Sequence, residues 1–177
     1  MSRTRQRTLL FAAIVALCVG CDHATKELAT RALEPGAGVS LLGNALRLDL
    51  VQNPGAFLSV GSFLPAEVRH LLFLGLVPAG LAFFCALAVA SGFASGSSLV
   101  GLGLLAGGGV ANWLDRLANG GAVTDFVSFG LGPLRTGIFN VADVCIVVGV
   151  AWLLAAELRR PERAAREQTA TEPGARG

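Results

Sequence analysis

The chain has 177 residues, of which 53% are hydrophobic and only 15% charged, and its mean hydropathy is +0.63. Soluble domains carry about a quarter charged residues, so the composition excludes an ordinary soluble domain and leaves room for several membrane spans of about 20 residues. A net charge of +2 is too small to argue for nucleic acid, and no nucleic-acid partner is expected.

Four apolar stretches have the length of a span. They cover about Thr8–Asp22, Val68–Ser91, Leu99–Leu117 and Ile138–Leu158. Pro78 lies inside the second, where neighbouring groups can satisfy the backbone that a proline frees. Arg3, Arg5 and Arg7 precede the first span, and Arg159, Arg160, Arg163 and Arg166 follow the fourth. By the positive-inside rule both termini are expected in the cytoplasm, with the uncharged connector SGFASGSS on the same side. The first stretch has a second reading. LLFAAIVALCVGC, residues 9–21, also has the form of a lipoprotein signal peptide ending at Cys21. Residues 1–158 are expected to form one four-helix domain, followed by a polar, disordered cytoplasmic tail over 159–177.

Two longer segments lie on the opposite side. In the first, about Lys26–Glu67, Leu46, Leu48 and Leu50 alternate with Arg47 and Asp49, which predicts short strands or a hairpin at the membrane surface. The second, about Ala118–Gly137, contains NGG and GLGP and is predicted as a loop with several turns. The expected fold class is therefore a mainly α membrane protein, four transmembrane helices with a small β-strand cradle at the outer surface.

Ionisable residues are costly within a membrane, so each one marks a functional candidate. Asp22 and Lys26 close the first span, Asn112, Asp115 and Arg116 close the third, and Asn140 and Asp143 open the fourth. Spacings of three or four residues put each group on one helix face. Asp143 lies about six residues, roughly 9 Å, into its apolar stretch without a cation nearby in sequence. Such a carboxyl is expected to share a proton with a second acid, and Asp125 and Asp115 are the neighbours available. A pair of that kind activates water in aspartic proteases. His23 and His70 lie in different segments, and no serine or cysteine stands in a nucleophile context. Cys18 and Cys21 make a lone C-x-x-C with no further ligands, so no metal is expected.

The motifs DHATK (Asp22, Lys26), NPGAF (Asn53, Gly55, Ala56), GGVANWLDR (Gly108, Asn112, Asp115, Arg116), VTDF (Asp125) and FNVAD (Asn140, Ala142, Asp143) resemble, in order, those of the lipoprotein signal peptidase (signal peptidase II) family. The resemblance covers about Thr8–Leu158. It implies an intramembrane aspartic endopeptidase of the bacterial inner membrane. Asp125 and Asp143 would be its catalytic pair near the outer face, and the other named residues would bind substrate or support the site. It implies lipid-modified prolipoproteins as substrates, cleaved before the lipidated cysteine, membrane lipids as surroundings, and no cofactor. His23, Pro54 and Ala111 depart from the usual pattern, and Ala111 adds a methyl where a close helix contact favours glycine. Two other classes compete: a small transporter or proton relay, with polar groups near mid-membrane, and a lipoprotein processed at Cys21.

Overall fold

The computed structural model describes residues 2–56, 59–90 and 96–159. Most of the connector SGFASGSS, Phe57 of NPGAF and tail residues 160–177 lie outside the described residues. Among the described residues four helices are long and apolar enough to cross a membrane, and their contacts show them running alternately up and down. Helix α1 spans Arg3–Ala32. Helix α2, Ala66–His70, continues through a π-helical stretch, Leu71–Leu76, into α3, Val77–Ala90. Helices α4, Gly96–Ala118, and α5, Val141–Leu158, complete the set.

Helix α1 is longer than its apolar run. Its 30 residues rise about 45 Å, against a hydrocarbon thickness of about 30 Å. The charges at Asp22 and Lys26 do not end it, because they are one turn apart and pair with each other at 2.7 Å. The chain leaves the helix only at Leu33, just before Pro35 and the left-handed Gly36.

The widened turn in the second span has a local cause. Pro78 has no N–H to offer the carbonyl of Leu74 four residues earlier, and the indole of Trp113 on α4 donates to that carbonyl instead, at 3.1 Å. A neighbouring helix thus satisfies the backbone group freed by Pro78.

Helix α4 is the centre of the bundle, and glycines let its neighbours approach. A Cβ at Gly103 would meet Ile14 of α1 at 2.9 Å, and one at Gly107 would meet Cys18 at 2.6 Å. On the other side a Cβ at Gly108 would overlap the carbonyl oxygen of Ala142, and one at Gly149 of α5 would lie 2.8 Å from the carbonyl oxygen of Gly101. Ala111 and Ala142 are both fully buried. Small residues on facing helices are what bring backbones this close in a membrane bundle. Cys18, Cys21, Cys85 and Cys145 are all unpaired, and Cys21 faces outward.

One antiparallel sheet caps the end of the bundle where α1 and α4 finish and α5 begins. Its order is β1 (Val39–Leu41), β2 (Leu46–Asn53), β3 (Val123–Leu131), β4 (Leu134–Arg135). The β2–β3 register sets Val51 opposite Asp125 and Asn53 opposite Val123. The strands in the first segment were legible in the sequence. The second segment departs from the predicted loop: it is mostly β3 and β4. The flanking NGG and GLGP turns mask a strand, VTDFVSF, that pairs with β2 over its length and is buried at Val123–Phe126. The start of the last span also shifts. Phe139 is held in an isolated bridge to Val127, so α5 begins at Val141 and not near Ile138, and Asp143 is its third residue. It lies in the first turn and not six residues deep.

Candidate active site

The residues of this cluster come from three helices and two strands. Strand β2 brings Asn53 and β3 brings Asp125, α1 brings Asp22 and Lys26, α4 brings Asn112, Asp115 and Arg116, and α5 opens with Asn140, Ala142 and Asp143. All of the charged and amide side chains among them are buried.

Asn140 is the N-cap of α5. Its side-chain oxygen accepts the N–H of Asp143 at 2.9 Å, and its own backbone N–H donates to the Asp143 carboxylate at 3.4 Å, a reciprocal capping box. Its amide nitrogen donates to Asp125 Oδ1 at 2.7 Å and to the side-chain oxygen of Asn112 at 3.0 Å. Asn112 in turn donates to Asp143 Oδ1 at 2.9 Å. On the strand side Asn53 donates to Asp125 Oδ2 at 2.9 Å, while its oxygen accepts from Gly55 N at 2.9 Å. The Asn-Pro-Gly turn and the carboxylate contact are therefore made by one side chain. Asp125 and Asp143 thus share Asn140, and each takes a second hydrogen bond from another asparagine.

Among the described residues, the two carboxylates take their hydrogen bonds from neutral amides only. Burial pushes the Asp125 carboxyl from its ordinary 3.8 up to about 6. Hydrogen bonds from Asn53 oppose that rise, the Asp143 charge adds to it, and Asn140 and the more distant charge of Lys26 oppose it again.

Asp115 has a different environment. Its Oδ2 pairs with Lys26 Nζ at 3.0 Å and accepts the Thr124 N–H at 2.7 Å, and its Oδ1 accepts from Asn119 at 2.6 Å. Lys26 also pairs with Asp22 and donates to the Asn112 oxygen at 3.3 Å, and Asp22 Oδ1 accepts the Ala142 N–H at 2.8 Å. Asp22, Lys26 and Asp115 form a buried triad behind the amides, one lysine shared by two carboxylates, and they are more than an interfacial ion pair ending a helix.

Arg116 donates to the Gly55 carbonyl at 2.6 Å and to the Asn112 carbonyl at 3.2 Å, with its guanidinium 5.1 Å from the Phe73 ring centroid. The charges of Asp143, Asp125 and Asp115 all act on it. It ties the turn after β2 to α4. Gly55 is required there, since a Cβ would sit 2.7 Å from the Val60 carbonyl oxygen, and the Ala56 N–H donates to that same oxygen at 2.7 Å. Gly108 and Ala142 serve the site by packing, at the α4–α5 contact directly beneath Asp143.

Three contributors escape a reading of the sequence. Asn119 lies one helical turn after Asp115, so its spacing was a usable signal. Thr124 acts through its backbone and hydroxyl, and Phe73 through a ring on another helix, and neither leaves a trace in local pattern. Among the described residues, no group of His, Cys, Asp and Glu is arranged to hold a metal ion.

A family profile described as signal peptidase (SPase) II matches residues 14–159. A lipoprotein signal peptidase from Rhodococcus jostii (strain RHA1) is 36% identical over 159 residues, covering 85% of this chain and 73% of its own. One from Gloeobacter violaceus (strain ATCC 29082 / PCC 7421) is 36% identical over 150 residues, covering 83% and 80%. Among solved structures, a bacterial membrane enzyme determined by the in meso method at 2.3 Å resolution superposes with a TM-score of 0.73 at 19% identity, covering 95% of this chain and 94% of its own. That likeness is one of fold.

Proposed function

The chain belongs to the signal peptidase II family of aspartic-type peptidases, and from that premise we propose that it removes the signal peptides of lipid-modified prolipoproteins by the joint action of Asp125 and Asp143. The observation that carries this reading is Asn140, which binds both carboxylates while neither pairs with a cation among the described residues. Two such acids in close reach share one proton. The ionised member takes a proton from a water whose oxygen attacks the scissile carbonyl, and the protonated member gives its proton to the carbonyl oxygen. The tetrahedral diol then collapses: one of its hydroxyls returns a proton to the ionised acid, the C–N bond breaks, and the other acid gives its proton to the leaving amine, so that the pair again holds one proton. The bond cut is the one just before the diacylglyceryl-modified cysteine.

Location supports the same reading. Among the described residues, the buried polar side chains gather at the sheet end, with Ser98 alone at the other. A proton relay would set them at mid-bundle. Arg3, Arg5 and Arg7 at the start of α1 and Arg159 after α5 lie at the end opposite the site, which by the positive-inside rule supports termini in the cytoplasm and aspartates near the outer face of the inner membrane. Water is available at that depth. Asp22, Lys26, Asn53, Gly55, Ala56, Gly108, Asn112, Asp115, Arg116, Asn140 and Ala142 position the pair and the turn beside it.

The test is purified protein in detergent with a diacylglyceryl-modified prolipoprotein, read by mass spectrometry of both products. Cleavage at the bond before the modified cysteine, absent in Asp143→Asn, is the expected result. Turnover by Asp143→Asn, or equal cleavage of the unmodified precursor, would overturn the proposal.

A further inference from the structure

A second concave feature lies away from the aspartates. Helices α1 and α3 both pack on α4 and leave an apolar groove of about 390 Å³ between them. Phe11 and Val15 form one wall, Leu81 and Cys85 the other, and Ala106 and Gly109 the floor. It is lined by none of the residues of the aspartate site. The floor is low because of Gly109, where a Cβ would meet the tip of Leu81 at 2.5 Å.

The two ends of the groove differ. Trp113 closes it toward the sheet, its indole held by the Leu74 carbonyl, and Thr8 marks the other end. Thr8, Phe11 and Val15 lie on one face of α1, and that face continues one turn back to Arg5. Helical side chains lean toward the N-terminus, so Arg5 reaches past the open end, where Arg3 is exposed as well and Arg7 is half-buried. Arg159, the C-cap of α5, adds a further exposed cation at this end of the bundle.

We propose that this groove holds one acyl chain of an anionic phospholipid whose phosphate rests on the arginines at the start of α1. The chemistry of each half is matched: an apolar slot open to hydrocarbon, continued by cations at the depth of the headgroups. The lining on α1 runs from Thr8 to Val15, about two helical turns, so an alkyl chain lying along the slot brings its phosphate to the cations at the open end. The site is independent of the peptidase reading, since it uses no residue of the aspartate cluster.

Native mass spectrometry of the full chain, released from detergent after incubation with phosphatidylglycerol or phosphatidylcholine, tests it. Phosphatidylglycerol adducts should exceed phosphatidylcholine adducts by roughly ten-fold at equal lipid concentration. Ala82→Trp, at an exposed position on the groove wall, should abolish them, and Arg3→Gln with Arg5→Gln should bring the two lipids to parity. Ala86→Phe, one turn along the same wall, provides a second filling variant, and an unchanged unfolding temperature qualifies either for the comparison. Equal adducts of the two lipids on the unaltered chain, or undiminished adducts in a folded filling variant, would overturn the proposal. So would a dimer that the filling variants dissociate, which would make the groove a self-interface.

Discussion

Asp22 on the first helix accepts the backbone N–H of Ala142, 120 residues later, at 2.8 Å. That N–H is one of the four that α5 leaves unpaired at its start, and Asn140 satisfies the next through its own side chain. The first helix therefore helps to set the position from which Asp143 projects. Lys26, paired with the other Asp22 oxygen and with Asp115, links this cap to α4.

The environments of the two rival acids yield a discriminating experiment. Asp125→Asn is expected to abolish turnover of a lipidated prolipoprotein, whereas Asp115→Asn lowers the unfolding temperature but retains measurable kcat. The reverse pattern in a steady-state assay would exchange their roles.

Lys26→Met leaves Asp22 and Asp115 buried without their cation. Removing one partner of a buried pair costs about 3–5 kcal/mol, so the variant should unfold at a clearly lower temperature in detergent. Adding Asp22→Asn and Asp115→Asn to it should recover much of the loss, and a triple variant less stable than the single one would show that the carboxylates are needed for more than charge balance.

Two helical glycines give opposite expectations. Gly108→Ala drives a methyl into the Ala142 carbonyl and should cost about 1–3 kcal/mol through overpacking, with kcat reduced because Asp143 shifts with α5. Gly20→Ala meets nothing within 4 Å and should gain about 0.5–1 kcal/mol from helix propensity alone. Thermal unfolding of the two variants side by side checks both signs.

The pH dependence of stability follows from Asp125. Its carboxyl is raised from 3.8 to about 6 by burial, so between those values the folded state binds the proton that the unfolded chain has released. Its contribution is fully present below about 4 and is lost as pH rises through about 6. The difference in unfolding temperature between Asp125→Asn and the unaltered chain should therefore move in favour of the variant from pH 4 to pH 6.5 and then level off. A flat difference across that window would contradict the assignment.

Cys21 sits mid-helix, with Asp22 and Lys26 beyond it engaged across the bundle. Intact mass measurement of the purified chain should find the residues upstream of Cys21 present and no diacylglyceryl group on it.

The four spans, their order, and the asparagines and acids at their ends were legible in the sequence because apolar runs in a membrane protein tolerate charge only where it is used. The resemblance of five ordered motifs named the family. What the sequence could not give was which acids are compensated. Asp22 and Lys26 read as a local pair, but the third member of the triad, Asp115, comes from another helix. Asp143 read as deep and isolated, yet it lies in the first turn of its helix, completes the capping box with Asn140 and is tied to Asp125 through that residue. The strand holding Asp125 was hidden by its glycine-rich flanks, since its pairing with β2 joins residues distant in sequence, Val51 with Asp125 and Asn53 with Val123. Local pattern reports burial and helical faces. The division of the buried acids into two that pair with Lys26 and two that meet only amides among the described residues was decided by contacts between distant segments, which only the folded chain brings together.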